Sequence, residues 1–547
     1  MKNSLFQVAK PASLIKYILL SILTGAFSFG FITFVNRLIN EMMHPVAAID
    51  HRRNILIFAA IILFFVLSRR FLAISTIRFS QRIFWKLRTD IIHLVLKANY
   101  EQFKGKQNLV SAALIRDVNA LTNASLNIIQ FSTSVIMIIA CFIYMALLSV
   151  PLFFITLFVV IAGISVYYWN MNKNQRFFRI GRDLDDNFIG SFNSLLSGFK
   201  EIQLDPRKGD EIYEKEIKVV SANSIRNSQK AYVGFLNNQM TGQVLFYCLI
   251  AFLLLFLKFW INLDTQIVVN FLFILLFLLG AVETTMVILP GLIQAKVSAE
   301  RLTELRQELS NNEFSDYRWV GDLATNGFET IRVDKVKYRY PEEEGSGEEG
   351  FSIGPISLEI NKGDVVFIYG GNGSGKTTFI LTLLGLLKPS EGTIYLKDMP
   401  LDDSNYKAFR LLFGVVFSDF YLFNKLYGIG QVNKARADQL IELFELDGLV
   451  TFEGNAFSTG DMSTGQRKRL ALIGTLLENK PILVLDEWAA DQDPHFRRKF
   501  YNEIIPILKN DGYTLICITH DDKYYHCADR LYKMDYGRVK EVSVENI

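Results

Sequence analysis

Cysteine is scarce in this chain. Four occur in 547 residues (Cys141, Cys248, Cys517 and Cys527), none in a C-x-x-C pair, so neither a disulfide framework nor a zinc site is expected to organise the fold. Net charge is small as well. The 58 basic and 55 acidic residues leave +3, too weak a field to suggest a nucleic-acid partner. Only 21% of residues are charged, and they concentrate after residue 293. No clean small-residue cleavage site follows the first apolar run, which lies behind Lys2, Lys10 and Lys16. That run is also too long for a signal-peptide core, so it reads as an uncleaved first transmembrane helix. Internal repeats are absent.

What the chain does have is apolar length. Half of it is hydrophobic and 13% is aromatic, with a mean hydropathy of +0.22. Six spans of bilayer length can be drawn: Leu14–Phe34, Asn54–Ile77, Ile128–Leu148, Leu152–Trp169, Val244–Ile261 and Ile267–Leu289. Val150-Pro151 makes the link between spans three and four a tight turn. The connections Phe79–Asn127 and Asn170–Gln243 are long and rich in Lys and Arg, which places both in the cytoplasm. Ile91, Ile92, Leu94, Val95 and Leu96 mix with polar residues at helical spacing, so these loops extend the spans as helices. They turn near Lys106–Arg116 and Gln203–Glu211, where they can touch a cytoplasmic domain. Most of the 45 phenylalanines are expected on lipid-facing surface.

The second half carries nucleotide chemistry. Gly370-Gly371-Asn372-Gly373-Ser374-Gly375-Lys376-Thr377 fits G-x-x-x-x-G-K-[ST] and follows the apolar run Val365–Tyr369. Such glycines let backbone N–H groups curl around phosphates, Lys376 reaches the β/γ-phosphates, and Thr377 ligates Mg²⁺. The helix opening near Gly375, through Thr378, points its positive end at the same anion. Ile482-Leu483-Val484-Leu485-Asp486-Glu487 reads as a buried strand ending in two carboxylates. Asp486 suits the Mg²⁺ shell, and Glu487 suits polarisation of an attacking water. Ser463-Thr464-Gly465-Gln466 has the S-x-x-Q form of a capping box before Leu470–Ile473. Alone it marks only a well-capped helix.

Its position shortly before Asp486, behind a Walker A loop and six apolar spans, changes that reading. The chain resembles ATP-binding cassette exporters over essentially its whole length. The resemblance implies ATP and Mg²⁺ as cofactors, with Glu487, His520 and Lys376 as catalytic groups. Ser463, Gly465 and Gln466 would act in trans on the γ-phosphate held by a second subunit. Tyr340, in Tyr338-Arg339-Tyr340-Pro341, would stack on adenine. Ala490-Asp491-Gln492-Asp493 would form the D-loop that bridges two ATP sites, with Asp493 among the nucleotide contacts. His520, ending the strand Leu515–Thr519, would meet the γ-phosphate. Two departures stand out. The Q-loop glutamine aligns with Ser418, too short for the same contact, so Ser418, Asp419 or a water completes the Mg²⁺ shell. The segment between Ser418 and Ser463 is also short, giving a compact helical subdomain. Ser-Thr-Gly-Gln-Arg-Lys-Arg-Leu-Ala-Leu, Asp-Glu-Trp-Ala-Ala-Asp-Gln-Asp-Pro and Val-Phe-Ser-Asp resemble the bacterial cyclic-peptide and siderophore exporter branch.

These readings combine into one expectation. An all-α polytopic membrane domain of the type I exporter class (residues 1–309) and a linker (310–327) precede an α/β P-loop ATPase domain (328–547). The acidic, glycine-rich Glu342–Gly350 is a hairpin tip. A homodimer in the bacterial cytoplasmic membrane, in contact with lipid, exports a cyclic or lasso peptide, lipopeptide or siderophore precursor; a lipid flippase and an ATP-gated sensor are the alternatives. The N-terminus and the nucleotide domain are cytoplasmic, and whether a periplasmic or outer-membrane partner exists stays open. Within span six, Glu283 beside Thr284 and Thr285 is costly at membrane depth, at least about 2.5 kcal/mol on insertion scales. It is therefore expected to line the transport path, with Asn270 a weaker candidate. Arg69 and Arg70 in span two mark either a water-filled vestibule or an earlier end to that span.

Overall fold

The computed structural model describes residues 11–43, 51–257, 265–310, 328–341 and 350–543. By internal contacts the chain forms two units. One comprises Met1–Leu96 and Gly105–Glu308, the other Lys97–Lys104 and Leu309–Ile547. Of the expected linker (310–327) and acidic hairpin tip (342–350), residues 311–327 and 342–349 lie outside the described residues, and Ser310 ends the helix that begins at Thr265.

The first unit is helical. Its long elements are α1 (Pro11–Met43), α2 (His51–Lys97), then, after the short α3 (Tyr100–Phe103) that belongs to the second unit, α4 (Val118–Leu148), α5 (Val150–Ser197), α6 (Lys218–Phe252) and α7 (Thr265–Ser310). Among the described residues six helical stretches are long and apolar enough to cross a membrane; four of the expected spans fall within one of them, while Leu14–Phe34 begins before the stretch Leu19–Ile39 and Val244–Ile261 runs past the stretch that ends at Phe256. The helices overrun the spans because the basic connections are helical too. Ser149, extended at φ −161°, breaks the helix between α4 and α5, and Pro151 sits in the first turn of α5, where its missing N–H costs nothing. Leu147, Phe158 and Trp169 are 80%, 73% and 78% exposed; apolar side chains so bare fit a lipid-facing surface. Inward, Cys141, Met145, Phe246, Phe271 and Leu275 form a packed cluster.

The first cytoplasmic turn comes earlier than Lys106–Arg116. The Gln102 side chain accepts from the Asn99 N–H at 3.1 Å, and Gly105 adopts φ +81°, so the reversal is complete by Lys106. The helix then runs from Gln107 through a π turn (Ala113–Asp117) into α4. The second turn lies close to the expected place, at two short helices, Phe199–Leu204 and Pro206–Glu211.

The second unit is built on strands β1 (Thr330–Arg339), β2 (Ser352–Asn361), β3 (Val365–Tyr369), β4 (Glu391–Leu396), β5 (Met399–Pro400), β6 (Phe413–Val416), β7 (Val450–Glu453), β8 (Ala456–Thr459), β9 (Ile482–Asp486), β10 (Thr514–Ile518), β11 (Arg530–Asp535) and β12 (Arg538–Val542). The central sheet has the order β12-β11-β3-β10-β9-β6. All its pairings are parallel except β11 with β12. Alternation along β3, β9 and β10 divides the core. Val365, Phe367, Leu483, Leu485, Leu515 and Cys517 pack on one face. Val366, Ile368, Ile482, Val484, Ile516 and Ile518 pack on the other. Strands buried on both faces read as continuous apolar runs, which is how β3 and β9 appear in the sequence. Helices α8 (Lys376–Leu383) and α9 (Thr464–Leu477) place the chemistry at the C-terminal ends of β3 and β9, where parallel sheets open their ligand crevices.

Candidate nucleotide site and membrane cavity

After Tyr369 the chain turns through the glycine loop into α8. Gly373 and Gly375 have φ +76° and +104°, and a Cβ on Gly370 would lie 2.0 Å from the Met534 carbonyl oxygen. No other residue fits that packing. Lys376 is buried, and its Nζ donates to the carbonyls of Gly370 and Gly371 at 3.0 and 3.1 Å. Burial pushes its ammonium pKa down, against the pull of Glu487 and Asp486. The Ser374 hydroxyl is buried without a partner among the described residues. Phe351, Asn372, Gly373, Lys376, Thr377 and Glu487 are among the residues lining a cavity of about 350 Å³. An anion meets there a helix N-terminus, a cation and backbone N–H groups.

Asp486 ends β9 with no solvent exposure. Thr377 Oγ1 and Ser418 Oγ stand 3.4 and 3.2 Å from its Oδ2, and its buried Oδ1 has no partner among the described residues. Ser418 thus reaches the carboxylate directly despite its short side chain, while Asp419 is exposed. Two hydroxyls around a carboxylate with an orphaned oxygen make an all-oxygen donor set, which fits Mg²⁺. Burial first, and the neighbouring Glu487 charge second, raise the Asp486 pKa above its ordinary value. The raised pKa favours the protonated form, whereas Mg²⁺ needs the carboxylate. Mg²⁺-dependent ATP affinity should therefore fall as pH drops through the raised value, and Asp486→Asn should remove the Mg²⁺ dependence at every pH. Calorimetric titration of ATP with and without Mg²⁺ across pH checks this; a flat profile for the native chain contradicts it.

Glu487 takes a left-handed backbone, φ +48°, an uncommon conformation for a non-glycine residue that its surroundings must hold. Its N–H donates to the Ile518 carbonyl at 3.1 Å. Its carbonyl accepts from Lys468 Nζ at 3.0 Å. The next residue, Trp488, is buried and donates from Nε1 to the Lys468 carbonyl at 2.9 Å. The carboxylate so aimed lies 3.2 Å from His520 Nε2 and 4.0 Å from Lys376 Nζ. The turn after β10 that carries His520 is pinned by Tyr501, whose hydroxyl lies 2.6 Å from Thr519 Oγ1 and 3.0 Å from Asp521 Oδ2.

The capping box forms: Gln466 Oε1 accepts from the Ser463 N–H at 2.8 Å, and Ser463 Oγ accepts from the Gln466 N–H at 3.3 Å. Ser463, Gly465 and Gln466 are not among the residues lining the cavity beside Lys376. The same helix is clamped to the Asp491–Asp493 segment. Lys468 pairs with Asp491 at 2.7 Å, and Arg469 reaches Gln492 and Asp493 at 2.8 and 2.7 Å. A Cβ on Gly465 would stand 2.6 Å from the Asp491 carbonyl oxygen. Asp493 also caps the following helix through the Phe496 N–H at 2.9 Å, so within this chain it belongs to the clamp. Lys468 and Arg469 escaped the sequence reading, where they pass as a polar helix face; their burial shows otherwise.

Tyr340 donates its N–H to the Phe351 carbonyl at 3.0 Å. Its ring meets Tyr338 edge-on, centroids 5.1 Å apart, and Lys104 Nζ lies 4.9 Å from its centroid. Tyr338 is buried and donates to Glu101 at 2.7 Å. The α3 turn is thereby fastened beside the aromatic expected to meet adenine.

Among the membrane helices a cavity of about 640 Å³ is lined by residues of α1, α2, α4 and α7, including Thr24, Arg69, Thr76, Gln130, Ser134 and Thr284. Glu283 does not line it; Gln243 donates to its carboxylate. Asn270 is also away from it, buried with an unpartnered Oδ1.

An ABC transporter family model matches residues 353–490. The chain is 30% identical over 565 residues to the ATP-binding protein SyrD of Pseudomonas syringae pv. syringae, covering 98% of this chain and 97% of that one. It is 29% identical over 224 residues to an ATP-dependent lipid A-core flippase of Bordetella avium (strain 197N), 39% of this chain and 37% of that one. The solved structure of a bacterial Atm1-family ABC exporter with ATP bound matches at a TM-score of 0.81, covering 100% of this chain and 96% of that one, at 17% identity; it shows the fold. With six apolar helices ahead of an ATPase domain, and a relative alike along nearly its whole length, the chain belongs to the ABC transporters, as an exporter half-transporter that couples ATP hydrolysis to transport.

Proposed function

We propose that two copies of this chain assemble in the bacterial cytoplasmic membrane and export a small peptide-type substrate by alternating access. The observation that carries this reading is the mixed polar and apolar cavity among the membrane helices, on the same chain as the nucleotide site. The peptide class is supported by the motifs shared with the cyclic-peptide and siderophore exporter branch.

Within one chain, Lys376 exchanges its two carbonyl partners for phosphate oxygens, and the glycine-loop N–H groups hold the rest of the anion. Thr377, Asp486 and Ser418 would hold Mg²⁺, which would supply neutralisation of phosphate charge. Glu487 accepts a proton from the attacking water, and His520 fixes the carboxylate and meets the γ-phosphate. Ser463, Gly465 and Gln466 of one copy close the site of the other. Closure then shifts the membrane helices between inward and outward populations.

ATPase activity in lipid nanodiscs tests the reading, with cyclic peptides, siderophores and lipids as a panel. Stimulation by a peptide-type ligand supports it; stimulation by lipids alone replaces it with a flippase. The α3 turn gives a further expectation. Glu101→Gln weakens a hydrogen bond to a charged acceptor, a class of bond contributing about 1.5–3 kcal/mol. It should lower the ratio of substrate-stimulated to basal hydrolysis, measured side by side, while basal hydrolysis persists. An unchanged ratio would remove α3 from the coupling path.

A further inference from the structure

Helix α2 turns one stripe toward the membrane cavity. Phe65, Arg69, Leu72, Ala73 and Thr76 all line it, and their spacing of four, three or seven residues sets them on one helical face. Arg70, on another face, does not line it. Arg70 follows Arg69 directly, and the next basic residue beyond it toward the cytoplasmic turn is Arg78, nine positions from Arg69 and about 13 Å along the axis at the usual rise. Arg69 nonetheless lies inside the expected span Asn54–Ile77 and lines the cavity. A cation at such depth faces water, a cavity or a partner.

None of the described residues that line this cavity is acidic. Among the described residues Arg69 makes no ion pair with a carboxylate; its recorded contact is with the Phe65 ring, 5.8 Å from the centroid. The carboxylate of Glu283 is taken by Gln243 and is not in the lining. Two turns along α2, the Thr76 hydroxyl is buried without a hydrogen-bond partner among the described residues. The remaining lining mixes apolar side chains, among them Leu126, Ile129, Met137 and Phe277, with the uncharged polar Thr24, Gln130, Ser134 and Thr284.

We infer that this cavity binds an anionic amphiphile, whose carboxylate or phosphate pairs with Arg69 while its apolar body lies against the apolar side chains of α4 and α7. The inference rests on the export reading and narrows its substrate class. A guanidinium presents planar paired donors to such an anion, and the low dielectric of the site strengthens the pair.

The test uses full-length protein in nanodiscs of zwitterionic lipid, without ATP. The probe is a fluorescent, fatty-acylated tripeptide made as a matched pair, one with a free terminal carboxylate and one amidated. Native protein should bind the carboxylate form about tenfold or more tighter, the scale of one charge-assisted hydrogen bond. Arg69→Gln should erase that preference while leaving amide affinity in place, which also shows the cavity intact. Arg69→Lys should keep part of it. A preference that survives Arg69→Gln, or no binding of either form, overturns the inference. Displacement of the probe by phosphatidylglycerol, lost in Arg69→Gln, assigns the same anion site to a lipid. Carboxylate-selective binding without stimulated hydrolysis or transport leaves the anion site standing and removes the export reading.

Discussion

Replacing Glu487 by glutamine should lower ATP turnover by about 10²–10⁴-fold, the range a positioned general base contributes, while ATP binding persists. Glutamine has nearly the same shape, and the left-handed turn at this position is held by backbone and lysine contacts rather than by the carboxylate. The Glu487 N–H bond to Ile518 and the carbonyl bond from Lys468 both survive the change. One acceptor oxygen remains; what disappears is the basic carboxylate beside His520, 3.2 Å away, and the charge 4.0 Å from Lys376. The expected result is a variant that binds and retains ATP but releases phosphate slowly, measured by phosphate release at saturating ATP beside ATP affinity. Turnover within about tenfold of the native chain would mean that proton removal from water is not the work of this side chain.

How much of this was legible beforehand depends on how local each feature is. The glycine loop is a run of consecutive residues, and its meaning follows from backbone conformation alone. The capping box spans four residues and forms between Ser463 and Gln466 as read. The strand before Asp486 was visible because burial on both faces demands an unbroken apolar run. The clamp of Lys468 and Arg469 on Asp491–Asp493 was not visible, since nothing in a basic helical triplet states that its charges fold inward onto a segment more than twenty residues away. The first cytoplasmic turn was placed late because basic residues were followed instead of Asn99 and Gly105, which are the residues able to end a helix there. In the membrane, Glu283 and Asn270 drew attention as polar groups in apolar spans. Polarity gives a residue's cost, not the face it occupies. The stripe at Phe65, Arg69, Leu72 and Thr76 is written in helical spacing, yet only the packed helices reveal that it faces a cavity.

The dimer reading yields an all-or-none expectation. Ser463 caps α9 and stands outside the cavity lined by Lys376 and Thr377, so a chain acting alone leaves its signature residues unused. Ser463→Asp is the informative lesion. Aspartate is as good an N-cap as serine, so the helix keeps its start, but its charge faces any phosphate brought to that end. Lys376→Ala is the complementary lesion on the other side of the site. Homodimers of either variant carry damage in both composite sites and should be nearly inactive. In a mixed dimer, sites formed in trans distribute the lesions unevenly: one site carries both and the other carries neither. Co-expressed variants with two affinity tags, purified sequentially as heterodimers, should therefore recover hydrolysis and retain ATP at one site. If Ser463 acted on the loop of its own chain, every site in the mixed dimer would still carry one lesion and neither readout would recover. ATP retained without hydrolysis would mean that the sites are shared between chains but fire only as a pair. Loss of both readouts would return the signature helix to the bland role its capping box alone suggests.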